Sequence, residues 1–210
     1  MDITALFITA FLVGLSGAMM PGPLLTVTIA ESAQRGFKAG PLIVLGHAIL
    51  ELALIIALLA GLSLYLQKPV VTTVISVIGG AFLLVMGFNM IKDVLQGRVA
   101  LENSENDAGK GINMHPVMAG ILVSVSNPFW SVWWATIGLT YLTLALKSGA
   151  VGITSFFSGH IMADLLWYSL IAAAIAGGRR FLKQQVYQTI IMLCGLFLMG
   201  LGGYFIYGVI

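Results

Sequence analysis

The amino-acid sequence predicts an all-α integral membrane protein with six transmembrane helices. The chain has 210 residues, of which 59% are hydrophobic and only 9% are charged, and its mean hydropathy is +1.02. Soluble domains have about one quarter of their residues charged. The apolar residues form six long runs, each near the length of about 20 residues that a helix needs to cross a bilayer. Prolines interrupt the first and the fourth of these runs.

The six predicted spans follow one another with mostly short polar connections. They cover residues 3–29, 41–66, 70–91, 116–144, 150–176 and 186–207. Residues 31–38 are predicted to form a polar turn after the first span. Residues 92–115 form the longest polar stretch and are rich in Gly, Asn and acidic residues, which is typical of a solvated linker.

The two halves of the chain share motifs in the same order. Spans 2 and 5 each contain Gly-His followed by an acid four residues after the histidine, namely Gly46, His47 and Glu51, and Gly159, His160 and Asp164. Spans 3 and 6 each contain a Gly-x-Phe-Leu motif and a further glycine. This order predicts a duplication, with repeats at 1–92 and 116–210 joined by a cytoplasmic linker at 93–115. Three spans are an odd number, so the second repeat is inverted, an arrangement found in secondary transporters.

The basic residues predict the orientation in the membrane, because Lys and Arg are enriched in cytoplasmic loops. The turns after spans 1, 3 and 5 contain Arg35, Lys38, Lys92, Arg98, Lys110, Arg179, Arg180 and Lys183, whereas the opposite side contains Lys68 and Lys147. We therefore place the linker at residues 92–115 and the turns after spans 1 and 5 in the cytoplasm. Both termini then lie outside.

The proline-containing breaks in spans 1 and 4 predict a cavity. Pro21 and Pro128 would free the carbonyl groups of Gly17 and Ser124, and freed carbonyls are tolerated in a membrane only against protein or water. The N-terminus of each second half-helix favours an anion such as a carboxylate. A packing kink is the alternative interpretation. The candidate substrate-binding residues at the breaks are Ser16, Gly17, Pro21, Gly22, Pro23, Ser124, Asn127 and Pro128.

Glu51 and Asp164 are the only acids inside the predicted spans. An acid near the bilayer centre normally faces the bundle interior or a water path. The spacing of four residues places His47 beside Glu51 on one helical face, and His160 beside Asp164. We predict that the two acids bind the ammonium group of a substrate, and that all four side chains take part in proton or ion coupling. The alternative is that they are structural polar pairs between helices.

The tryptophans and the single cysteine carry less information about function. Trp130, Trp133 and Trp134 follow the Asn-Pro break, and we expect them to pack or to anchor the helix at the membrane interface. The single Cys194 excludes an internal disulfide and a cysteine-rich metal site. We predict no bound metal and no other cofactor. The sequence contains no nucleotide-binding glycine loop and no basic stripe with aromatic residues, so no nucleic-acid partner is expected.

With these motifs in place, the chain resembles the LysE/RhtB-type amino-acid exporters over nearly its whole length. The resemblance rests on Pro21-Gly22-Pro23, Gly36, Gly40, Gly46-His47 and Asn127-Pro128. It implies a small exporter of amino acids or related metabolites in the inner membrane, driven by a proton or ion gradient and often dimeric. Many members have Lys after Asn-Pro, where this chain has Phe129-Trp130, and the doubled Gly-His-acid motif is not general in the family.

The leading hypothesis is therefore a secondary exporter of a small polar solute, with an amino acid or its derivative as the expected substrate. A divalent-cation exporter is the alternative, because two acids and two histidines could hold a cation. An intramembrane serine protease is a weaker alternative, based on the short motif Gly14-Leu15-Ser16-Gly17. A thiol-redox conduit needs paired cysteines and is excluded. A purely structural membrane subunit leaves the buried acids unexplained.

Overall fold

The computed structural model describes residues 2–20, 22–62, 68–98, 114–178 and 183–210, and all regular structure in these residues is helical. The helices are α1 (Ile3–Ala18), α2 (Pro23–Arg35), α3 (Ala39–Ala57), α4 (Pro69–Leu95), α5 (Pro116–Val125), α6 (Pro128–Trp133), α7 (Leu139–Leu146), α8 (Gly149–Gly178) and α9 (Gln184–Tyr207). A π-helical turn at Leu58–Leu62 extends α3, and another at Trp134–Gly138 joins α6 to α7.

The lengths and hydropathies of these helices confirm a multi-pass membrane protein. In the described part of the chain, five helices are long and apolar enough to cross a membrane. The pair α1 and α2, which is bent by 74°, makes a sixth span if it is counted as one. The bend follows from sequence, because Gly22 caps α2 in an extended conformation and Pro23 occupies its first turn. The all-helical prediction and the break in the first span are therefore confirmed.

The break in the fourth span also lies where the sequence predicts it. The helix α5 ends at Val125, and α6 begins at Pro128. The Oδ1 atom of Asn127 accepts a hydrogen bond from the backbone N–H of Phe129 at 3.1 Å and so caps α6. Most of the predicted linker, residues 99–113, lies outside the described residues. Pro21 of the first break also lies outside them.

The prediction of a turn at residues 31–38 is wrong over its first part. The helix α2 continues through Arg35, and nine of its thirteen residues are buried. Glu31 is fully buried, and its Oε2 lies 2.6 Å from the Nε of Arg35. Arg35 also donates to the carbonyl of Met114 at 3.1 Å, which ties the end of α2 to the start of α5. This pairing lets polar residues continue a buried helix; the chain turns only at Gly36, where φ is +79°.

Glycines set the closest helix–helix contacts. A Cβ atom on Gly80 of α4 would lie 2.7 Å from the carbonyl oxygen of Gly202 on α9, and one on Gly202 would lie 2.6 Å from that of Gly80. Gly87 and Gly195 make the same reciprocal contact, at 2.5 and 2.8 Å. These distances leave no room for a side chain, so the glycines allow α4 and α9 to pack backbone to backbone.

Two further close contacts hold the helices that carry the histidine–acid motifs. Gly46 of α3 packs against the backbone of Val117 in α5. Gly159 of α8 packs against Phe7 of α1, where a Cβ would lie 2.5 Å from the carbonyl oxygen. Each glycine immediately precedes the histidine of its motif. The close approach at these glycines therefore places His47 near α5 and His160 near α1, which are helices of the two broken spans.

Candidate functional site

The two broken spans and the two motif helices enclose a cavity of about 190 Å³. Among the residues that sequence analysis proposes, the cavity is lined by Gly17, Gly22, His47, Glu51, Ser124, Asn127, His160 and Asp164. Residues from both halves of the chain are thus brought to one site.

Three of the proposed residues do not line this cavity. Ser16 is exposed, and its hydroxyl donates to the carbonyl of Val13 at 2.7 Å. Pro23 and Pro128 are buried and begin α2 and α6. We therefore correct the prediction for Ser16, because its position on α1 directs it away from the break. The two prolines therefore shape the backbone at the edge of the cavity.

A cluster of four buried side chains forms the polar wall of the cavity. We call it the His-acid cluster; it consists of His47 and Glu51 on α3, and His160 and Asp164 on α8. Each of the four is at most 6% exposed. The four donor atoms, one from each residue, lie within 4.8 Å of one another. The spacing of four residues aligns each pair on its own helix. The two helices approach closely at Gly40 of α3, where a Cβ atom would lie 2.9 Å from the carbonyl oxygen of Tyr168 on α8.

Glu51 is at the centre of the cluster. Its Oε1 lies 3.1 Å from the Nε2 of His47, and its Oε2 lies 3.1 Å from the Nε2 of His160. Asp164 is less tightly held, because its Oδ2 lies 3.5 Å from His47 Nε2 and 3.8 Å from His160 Nε2. Within the described chain, that Oδ2 is buried and makes no hydrogen bond.

Two tryptophans also bind Glu51. The indole N–H groups of Trp130 and Trp134 both donate to its Oε1, at 3.0 and 2.8 Å. The expectation that these residues pack is confirmed, since Trp134 is buried in a hydrophobic cluster and Trp130 packs against it, and the bonds to Glu51 are an additional role. A signal was present in the sequence, since the spacing of four residues places both indoles on one face just after the break. Trp133 points elsewhere and stacks on the ring of His160, with 4.7 Å between ring centroids.

Ser124 orients the ring of His47. The Ser124 hydroxyl donates to the carbonyl of Gly120 at 2.7 Å, so it can only accept from the Nδ1 of His47, which is also 2.7 Å away. The proton of a neutral His47 is therefore on Nδ1. Its Nε2 faces the two carboxylates, so it donates to them when the ring is protonated and presents a lone pair only when the ring is neutral.

This arrangement has a clear electrostatic requirement. Two carboxylates in a buried site need positive charge nearby, because uncompensated charges are costly in a low-dielectric environment. Protonated imidazoles, the ammonium group of a solute or a metal cation could supply that charge. The cluster is therefore suited to binding and releasing a cationic group or a cation.

Comparison with known proteins assigns this architecture to a family. Residues 15–209 match the family described as LysE type translocator. The chain belongs to this family. Members of the LysE family are transporters and not enzymes, so the serine-protease alternative is wrong. The exposed Ser16, bonded to its own helix, agrees with this conclusion.

Several relatives align with this LysE-family chain over most of their length. The chemotactic transduction protein ChpE of Pseudomonas aeruginosa is 27% identical, over 95% of this chain and 96% of its own. A putative amino acid efflux protein, YcgF of Bacillus subtilis, is 24% identical, over 96% and 95%. The threonine efflux protein of Salmonella typhi is 25% identical, over 81% and 82%. No solved structure matches the chain. The protein is thus an exporter-type translocator with a small-molecule substrate in a multi-pass membrane fold.

Proposed function

We propose that this protein exports a small amino-acid-like solute from the cytoplasm by ion-coupled alternating access. The observation that carries the proposal is the buried His-acid cluster facing a cavity between two broken helices. A buried polar cluster of this kind is expensive to maintain in a membrane and marks a transport path. The relatives named for amino acid or threonine efflux support the choice of solute.

The shape of the cavity supports a small zwitterion. At about 190 Å³ it lies below the range of roughly 300–1,000 Å³ for drug-sized ligands. The amino-terminal ends of α2 and α6 border it and would attract the carboxylate of a solute. Glu51 and Asp164 lie on its polar wall and would receive the ammonium group. Trp130 and Trp133 supply apolar surface for a side chain.

An inverted repeat would supply the alternating motion, with one half rocking against the other. The reciprocal glycine contacts support this part of the proposal. If Gly80 corresponds to Gly195 and Gly87 to Gly202, the two close contacts between α4 and α9 exchange with each other. The two His-acid pairs exchange in the same way. We also propose that the linker at residues 92–115 and the other basic turns face the cytoplasm.

The coupling ion is assigned to the His-acid cluster, because His47, Glu51, His160 and Asp164 together hold the buried charge of the cavity. A divalent cation is the second candidate for the exported species. The observation that favours it is the convergence of four metal-binding side chains in one place.

The test is solute efflux from proteoliposomes that contain the purified protein. Vesicles would be loaded with a panel of radiolabelled amino acids, one at a time, and assayed with and without an imposed pH gradient. Protein-free vesicles and vesicles with an unrelated membrane protein are the controls. Gradient-dependent efflux of at least one amino acid is expected. Efflux of a divalent cation alone would replace the proposed substrate, and efflux of neither from folded protein would contradict the proposal.

A further inference from the structure

The nitrogen–oxygen distances in the His-acid cluster are close to those between neighbouring ligands of a tetrahedral metal site, and one ligand atom from each residue lies within 4.8 Å of the others. Zinc binds His nitrogen and carboxylate oxygen at about 2.0–2.2 Å, so neighbouring ligand atoms of a tetrahedron are about 3.3 Å apart. The Nε2 of His47 lies 3.1 Å from the Oε1 of Glu51 and 3.5 Å from the Oδ2 of Asp164. The Nε2 of His160 lies 3.3 Å from the same Oε1, 3.1 Å from Oε2 and 3.8 Å from the Oδ2 of Asp164. An ion placed among these atoms would therefore need only small side-chain adjustments.

The hydrogen bonds around His47 prepare its Nε2 for a cation. The Ser124 hydroxyl accepts a hydrogen bond from the Nδ1–H of His47 and donates one to the carbonyl of Gly120. Histidines that bind metals almost always donate their other ring N–H to an oxygen in this way. The ring is thereby held with Nε2 towards Glu51 and Asp164, where a neutral ring would present its lone pair to a cation.

The second independent observation is the state of Asp164. Its Oδ2 is buried, points into the cluster and has no hydrogen-bond donor in the described residues. By contrast, the Oε1 of Glu51 accepts from two indoles, which hold that carboxylate in place without occupying Oε2. The cluster thus contains a buried, unsatisfied oxygen at the distance from two imidazoles that a shared ion would require.

Charge and ligand type indicate the class of ion. Two carboxylates and two neutral imidazoles carry a net charge of −2, which a divalent cation balances. Imidazole favours transition metals such as zinc over calcium and magnesium, which prefer an oxygen-only set. We propose that His47, Glu51, His160 and Asp164 bind one divalent transition-metal cation, for which Zn²⁺ is the best fit. This inference rests on the proposed function only in placing the cation in the transport cavity.

Direct binding measurements test the site without any transport assay. The full-length protein would be purified with a histidine-free affinity tag, stripped with chelator and titrated with Zn²⁺ by calorimetry. Co²⁺ would be used as a spectroscopic probe, because a tetrahedral site gives intense visible bands and an octahedral one gives weak bands. One ion per chain and the intense Co²⁺ spectrum are expected. A lower stoichiometry or a weak octahedral spectrum in the wild type would overturn the proposal.

Matched variants locate the ion. His47→Ala and Asp164→Asn should each lower Zn²⁺ affinity at least about tenfold, whereas His115→Asn removes the third histidine, outside the cavity, and should have no effect. Ser124→Ala should weaken binding by about 10–100-fold by releasing the ring of His47. Ser131→Ala, which removes another buried hydroxyl, is its control. Unchanged binding in both cluster variants would overturn the proposal.

The outcome can be separated from that of the export proposal. Zinc binding without amino acid efflux would support the metal site and contradict the proposed solute. Amino acid efflux by a protein that binds no zinc would support the proposed solute and contradict the metal site. Efflux of ⁶⁵Zn from the same vesicles would support the site and make the ion itself a transported species.

Discussion

The Nε2 of His160 lies 3.1 Å from the Oε2 of Glu51, although the two residues are 109 positions apart and belong to different halves of the chain. Glu51 therefore interacts with the histidine of its own motif and with that of the other motif. The two halves meet at this carboxylate. This contact makes Glu51 the most informative position for mutation.

Glu51→Gln should abolish export while the protein still inserts in the membrane. Glutamine keeps an oxygen for the indoles but removes the negative charge that the cluster uses to hold a cation or ammonium group. Efflux of the solute identified in the panel is the measurement. Asp93→Asn removes an acid at the end of α4, where Asp93 pairs with Arg98, and should leave efflux intact. Efflux at the wild-type rate from Glu51→Gln would contradict the proposed role of Glu51 in export.

Trp134→Phe should lower both stability and export. It removes an indole N–H that lies 2.8 Å from the Oε1 of a buried carboxylate. A hydrogen bond to a charged group is worth about 1.5–3 kcal/mol. A lower thermal midpoint in detergent and slower efflux are expected. The matched control is Trp167→Phe, because the buried Trp167 N–H makes no hydrogen bond in the described residues. Equal effects of both changes would contradict a specific role.

Gly202→Ala should separate α4 from α9. The added methyl group would lie 2.6 Å from the carbonyl oxygen of Gly80, and overpacking of this kind costs about 1–3 kcal/mol. Thermal unfolding followed by size-exclusion chromatography measures the loss. The adjacent Gly203→Ala meets no atom of the described chain within 4 Å. It should therefore be neutral or slightly stabilising, since Ala favours helix over Gly. A destabilised Gly203→Ala with an intact Gly202→Ala would reverse the prediction.

The orientation of the protein in the membrane can be tested with single introduced cysteines, because the sequence contains one cysteine, Cys194. In a Cys194→Ser background, Ser104→Cys in the linker should react with a membrane-impermeant maleimide in inside-out vesicles. Ser148→Cys, in the exposed turn before α8, should react in intact cells. The opposite pattern would place the basic turns outside. Labelling after membrane disruption confirms that both positions are reactive.

Much of the fold followed from the one-dimensional pattern. The apolar runs specified membrane-crossing helices because their length matches the bilayer, and Gly-Pro and Asn-Pro specified the two breaks because proline cannot continue a helix. The spacing of four residues by itself placed His47 beside Glu51, and His160 beside Asp164. These properties are local, so neighbouring residues determine them.

The tertiary structure decided the rest. It placed both His-acid pairs in one cluster, assigned Trp130 and Trp134 to Glu51, and buried Glu31 beside Arg35 in a continued helix. None of these follows from local sequence, because each depends on how closely helices from distant parts of the chain approach. Glycine contacts set that approach. The buried acids and histidines could therefore be found in the sequence. Their partners, and the short distances between them, depend on how the helices pack.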